Sequence, residues 1–176
     1  MCWSASASIA ATALGGAATA YGVKKKVPKV RTFTLAFFTL MELLQAISYI
    51  WINQCDASGN VLLTQLSYIH IAFQIPVANA FMLSFASKKQ RKKWFKTVMI
   101  ISFTATLLML TKLFAPMAWN VPKELMCKIG EPLCGTNYCS YEGNWHLAWK
   151  LPLLGFDSSF FTYFSTVLLR HILSGC

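Results

Sequence analysis

Apolar stretches alternate with short polar segments along this chain, at about 3–23, 32–53, 61–85, 95–115 and 158–174. The first four match or exceed the ~20 residues that a helix rising ~1.5 Å per residue needs to cross a ~30 Å hydrocarbon core. The pattern predicts an all-α integral membrane bundle of about five helices, forming a single transmembrane domain over 1–176. The last stretch is the shortest, and Arg170 and His171 interrupt it. That basic pair is expected to snorkel to the membrane surface.

The first stretch is almost wholly Ala, Ser, Gly and Thr, with small residues recurring at fourth positions. Ala7, Ala11, Gly15 and Thr19 form one row, and Ser8, Thr12, Gly16 and Ala20 another. Both rows permit close helix packing, so Ala7, Ala11, Gly15 and Gly16 mark a face for a partner helix. The second and third stretches are joined by the segment 54–60, where Gly59 and Asn60 are turn formers, and together predict an antiparallel hairpin. The fourth should end at Pro116.

Charge orients these elements. Of the sixteen Lys and Arg residues, eleven fall within 24–31 and 88–96. Cations favour the cytoplasmic face, so both segments are expected inside, while the N-terminus, Cys55 and the loop 117–144 lie outside. A chain that is 56% hydrophobic and 12% charged is far more apolar than a soluble domain, and lipid is its expected partner. Its net charge of +10 does not imply nucleic acid, because the cations flank spans and no aromatic stacking platform is interleaved with them. They read as anchors for anionic headgroups.

The outer loop carries Cys127, Cys134 and Cys139, and its face is normally oxidising. Disulfides are expected among Cys55, Cys127, Cys134 and Cys139. Pairing is undetermined, because Cys2 makes five outer cysteines and leaves one over. The spacings lack the paired CxxC of a structural zinc site. Beyond the loop, Trp145 and Trp149 suit an interfacial belt. Lys112, near the outer end of its span, reads as a snorkelling anchor, and Asp157 with Ser158 and Ser159 as a helix cap.

Glu42 is the one acid deep within an apolar span. Ten residues from the inner edge of its helix, it lies at a depth of ~15 Å. His70 is nine residues from the outer edge of the next helix, ~13 Å from the opposite side. Both are near the midplane of antiparallel neighbours. Gln45 and Tyr49 share a stripe with Glu42, and Ser67 and Gln74 share one with His70. Pro76 frees a carbonyl at similar depth, which Asn79 is placed to satisfy. An ionisable group at mid-bilayer costs at least ~2.5 kcal/mol, so this midplane set of Glu42, Gln45, His70 and Gln74 is a functional-site candidate; hydrogen-bonded glue between helices is the bland reading.

No nucleophile elbow, phosphate loop or HExxH helix occurs in the sequence. The residues favour transport, proton relay or ligand sensing at the Glu/His site, with no cofactor. The alternative is a membrane-embedded hydrolase in which Glu42, His70 and His146 hold a metal that activates water. A third reading is an assembly subunit that docks through the small-residue helix.

Several segments carry a resemblance: Met1-Cys2-Trp3-Ser4-Ala5, Met41-Glu42 with Gln45, Ser67-Tyr68-Ile69-His70-Ile71-Ala72-Phe73-Gln74, Pro132-Leu133-Cys134-Gly135 and Gly143-Asn144-Trp145-His146. Together they resemble an uncharacterised family of polytopic membrane proteins, over about 1–164. The resemblance implies further helices in other members, so this chain reads as C-terminally truncated, with 165–176 unrelated.

The topology has a direct check. An impermeant thiol reagent applied to reduced intact cells should label Cys55 and Cys139 and leave Cys176 unlabelled. Labelling of Cys176 alone reverses the orientation.

Overall fold

The structure is a computed structural model that describes residues 4–131, 133–143 and 146–155. The described residues contain four α-helices: α1 (Ala5–Lys24), α2 (Lys29–Ser48), α3 (Ser58–Leu83) and α4 (Lys88–Ala118). A small antiparallel hairpin follows, of β1 (Cys139–Gly143) and β2 (His146–Lys150), so the expectation of an all-α chain needs correcting. Each helix packs on the next in sequence, and β1 packs on α3. The expected fifth span, at 158–174, lies outside the described residues, as do Asp157, Arg170 and His171.

The segments Lys29–Trp51, Ser58–Leu83 and Lys88–Ala118 are long and apolar enough to cross a membrane. Their boundaries differ from the hydropathy pattern for local reasons. Lys and Arg are good helix formers, and Ser87 with Gln90 closes a capping box, so the basic segment expected as a loop is the first turns of α4. Ser87 Oγ accepts from the Gln90 amide at 3.3 Å, and Gln90 Oε1 accepts from the Ser87 amide at 3.2 Å. Gly59 and Asn60, expected in a turn, lie in the first turn of α3. A Cβ on Gly59 would come within 2.8 Å of the Trp51 ring, which explains the glycine.

Neither proline ends its helix. Pro76 lies inside α3 and Pro116 inside α4, and each deprives the carbonyl four residues earlier of its helical donor. Both carbonyls find partners from elsewhere in the fold. Thr106 Oγ1 of α4 donates to the Ala72 carbonyl at 2.9 Å, and the Leu154 amide donates to the Lys112 carbonyl at 3.1 Å. Asn79, expected to serve Pro76, instead donates to Ser102 Oγ at 2.6 Å. With Tyr68 Oη donating to the Met109 carbonyl at 3.2 Å, these bonds form a polar zipper along the antiparallel α3–α4 contact. At the cation-rich end, Arg31 ties α2 to α3, donating to Ser84 Oγ at 3.3 Å while its guanidinium lies 4.1 Å from the Phe85 ring centroid.

At the opposite end the hairpin caps the bundle. Leu147 and Trp149 of β2, with Leu151 and Leu153 just beyond it, join Met41, Tyr68 and Leu113 in one buried cluster. Trp149 is 7% exposed and belongs to this core, not to an interfacial belt. Tyr138, whose phenol burial pushes up in pKa, donates from Oη to the Leu113 carbonyl. Two disulfides complete the cap, Cys55–Cys139 and Cys127–Cys134. The first joins the α2–α3 connection to β1, and the second closes a short loop within the outer segment. All four candidate cysteines are therefore paired, whereas Cys2 lies outside the described residues.

Asn60 locks the cap to the helices. Its Nδ2 donates to the carbonyls of Trp51 at 2.7 Å and Ser140 at 2.9 Å, while its Oδ1 accepts from the Ser140 amide at 2.8 Å. Thr64 reinforces it through a 2.7 Å hydroxyl contact with Ser140. Replacing Asn60 with Ala strands the buried Ser140 amide, worth ~1–3 kcal/mol when left unsatisfied, and removes one of two hydrogen bonds at each of the Trp51 and Ser140 carbonyls, which keep the amides of Gln54 and Asn53. Asn60→Ala should lower stability in detergent by about 2–4 kcal/mol, with protease sensitivity appearing first in the cap. A variant that melts like the parent would show that the disulfide alone holds the hairpin.

Candidate functional site

Between α1, α2 and α3, beneath Trp149 of β2, lies a cleft of 470 Å³. Its polar groups are Glu42 and Gln45 of α2, Gln74 of α3 and Thr39 of α2, whose hydroxyl donates to the Leu35 carbonyl, and its apolar walls include Phe38, Met41 and Ile71. The α2 residues reach it because 38, 41, 42 and 45 recur at helical spacing on one face. On the α1 side, Ala11 and Gly15 line it. A Cβ at Gly15 would collide with the Thr39 hydroxyl, so glycine is what allows α1 to approach α2 here. Nothing lies within 4 Å of a Cβ built on Gly16, which faces open space. Of the two small-residue rows, the one through Gly15 is occupied by the chain's own α2.

The polar atoms of the site are unevenly satisfied. Gln45 is 1% exposed and accepts from Ser8 Oγ of α1 at 3.5 Å, so its amide is anchored. Glu42 Oε2 is buried without a hydrogen-bond partner. Ser67 Oγ, His70 Nε2 and Trp149 Nε1 are in the same condition. His70 is 7% exposed, and its ring stacks on Phe37 with centroids 3.9 Å apart and planes 17° apart. The imidazole thus occupies the α2–α3 interface beside an aromatic ring and is not part of the cleft lining. No hydrogen bond or ion pair joins it to Glu42 among the described residues. Glu42, Gln45 and Gln74 line the cleft together, and His70 is not among its lining residues.

No cluster of three or more His, Cys, Asp or Glu side chains is placed to hold a metal among the described residues. The His146 side chain, the third ligand of the hydrolase reading, lies outside them. Chemically, the cleft offers one carboxyl group with an unpartnered oxygen, two amides and an aromatic lid. That set suits a hydrogen-bonding head on an apolar body.

Trp149 was not legible as a site residue. It lies 75 positions beyond Gln74, the nearest in sequence of the cleft's other walls. Its only sequence signal was the alternation of Leu147, Trp149 and Leu151, which marks one buried face of a strand.

These features define a helical protein with three potential membrane spans and a disulfide-linked β-hairpin cap. The chain belongs to the family of unknown function DUF5765, whose model matches residues 6–176. The match passes Phe164, where the resemblance in sequence was expected to stop, and includes the residues set aside as unrelated. No curated protein and no solved structure matches the chain.

The two adjacent glycines give a paired test of α1. Gly15→Ala should destabilise by about 1–3 kcal/mol through overpacking against Thr39, whereas Gly16→Ala should be neutral or gain up to ~1 kcal/mol of helix propensity. Thermal unfolding in detergent reads both. Equal effects would refute the assignment of the Gly15 face to α2.

Proposed function

We propose that this is a multi-pass membrane protein that binds a small amphiphilic ligand in the Glu42 cleft and serves as a ligand sensor. The cap and N-terminus face outside, the two cation-rich segments face inside, and the whole of 1–176 forms one transmembrane domain. The orientation is supported by the separation of charge: the basic ends of α2 and α4 lie at one end of the bundle and the disulfides at the other.

One observation carries the ligand reading. Glu42 lines a cleft large enough for a small molecule, and its buried Oε2 has no hydrogen-bond partner among the described residues. A buried polar atom left unsatisfied costs ~1–3 kcal/mol, which a bound hydrogen-bond donor would offset. Glu42 would fix the head of the ligand, Gln74 would accept or donate beside it, and Phe38, Ile71 and Trp149 would enclose its apolar body. A proton relay through Glu42 and His70 has less support, because no hydrogen bond bridges them.

The test is a thermal-shift screen of the purified protein in lipid nanodiscs against small amphiphilic amines and alcohols. A ligand at ~100 times its Kd should stabilise by about 2.7 kcal/mol, a shift of several degrees. Glu42→Leu should fold and lose the shift. A shift of equal size in the variant, or no stabilising compound in either head-group class, would sink the reading.

A further inference from the structure

A second groove of 500 Å³ lies at the cation-rich end, between the last turns of α1 and the first two turns of α2. Its walls are Val23, Phe33 and Ala36, and at its mouth stand Lys26 and Lys29. Val23 and Phe33 are 65% and 60% exposed, so the groove is open along its apolar length. Thr32 Oγ1 also borders it, buried and without a hydrogen-bond partner. Thr19, by contrast, spends its hydroxyl on the Gly15 carbonyl at 2.8 Å.

The backbone places one of these lysines at a conformational cost. The Lys26 amide bonds to the Val23 carbonyl at 3.1 Å and the Val27 amide to the Gly22 carbonyl at 3.0 Å, the two bonds of a Schellman motif. Lys26 holds its left-handed position with φ 54°, where glycine is the ordinary and cheaper residue. A cation kept at a position that favours glycine points to a role for its charge. No acid lies on α1, in the α1–α2 turn or in the first three turns of α2, so these segments supply no counter-charge of their own.

We propose that this groove is a binding site for a single anionic glycerophospholipid of the inner leaflet. One acyl chain lies between Val23 and Phe33, running towards Ala36. The phosphate sits between Lys26 and Lys29, and Thr32 donates its hydroxyl to an ester or phosphate oxygen. Depth, charge and apolarity follow the order of a lipid's own groups, from phosphate to glycerol esters to chain. The inference rests on the membrane setting proposed above and is independent of the Glu42 cleft.

Native mass spectrometry of the full chain, purified in mild detergent and offered equal phosphatidylglycerol and phosphatidylcholine with matched acyl chains, tests it. One phosphatidylglycerol should be retained in preference to phosphatidylcholine. The pair Lys26→Gln and Lys29→Gln should weaken retention roughly thirtyfold, since each lysine near the surface contributes about fivefold. The pair Lys88→Gln and Lys89→Gln removes the same charge at the same end of the bundle and should leave retention nearly unchanged. Val23→Trp fills the groove without altering charge and should also abolish retention, while excess glycerol 3-phosphate should not displace the lipid. Equal loss in the two lysine pairs, displacement by glycerol 3-phosphate, or absence of a retained anionic lipid would each overturn the proposal. A chain that stays monomeric and folded without detergent would instead refute the membrane setting itself.

Discussion

Two carbonyls that proline leaves without a helical donor govern how this chain packs. In an apolar surrounding, an unsatisfied carbonyl costs several kcal/mol, so Pro76 and Pro116 are tolerable only where another element delivers a donor. Thr106 supplies one to Ala72 from α4, and the Leu154 amide supplies the other to Lys112 from the segment following the hairpin. The first bond sets the register of α3 against α4. The second pins the end of the cap to α4, so helix packing and cap placement answer the same requirement.

The cap is fixed from its other side by Asn60. An asparagine buried at the start of a helix has more hydrogen-bonding capacity than its own backbone can use. Here that capacity is spent on Trp51 and on both backbone groups of Ser140, positioning β1 directly over α3. The Cys55–Cys139 disulfide joins the same two segments covalently. With β1 held, the alternation of β2 turns Trp149 inward over the cleft. The lid of the candidate site is therefore a consequence of how the outer segment is anchored.

Buried polar groups fall into two populations. Those of the α3–α4 zipper and of the Asn60–Thr64–Ser140 network are bonded to one another, as buried polar groups generally are. Thr32, Glu42, Ser67, His70 and Trp149 each keep a buried atom with no partner among the described residues. Three of these five line a groove: Thr32 borders the one between α1 and α2, and Glu42 and Trp149 border the cleft.

The sequence alone located the four helices seen among the described residues, because hydropathy over about twenty residues is a local property of the chain. It identified the cysteines that pair, since compartment and count imply disulfides, and it marked Glu42, Gln45 and Gln74 through their helical spacing. It mistook the starts of α3 and α4, where a capping box and a glycine packed on Trp51 outweigh turn propensity and charge. The hairpin, the disulfide partners, the donors to Ala72 and Lys112, and Trp149 over the cleft were settled only by tertiary structure. Nearly all of these join residues tens of positions apart, and which polar side chains line the cleft depends on helix rotation, which a count of depth along each helix does not contain.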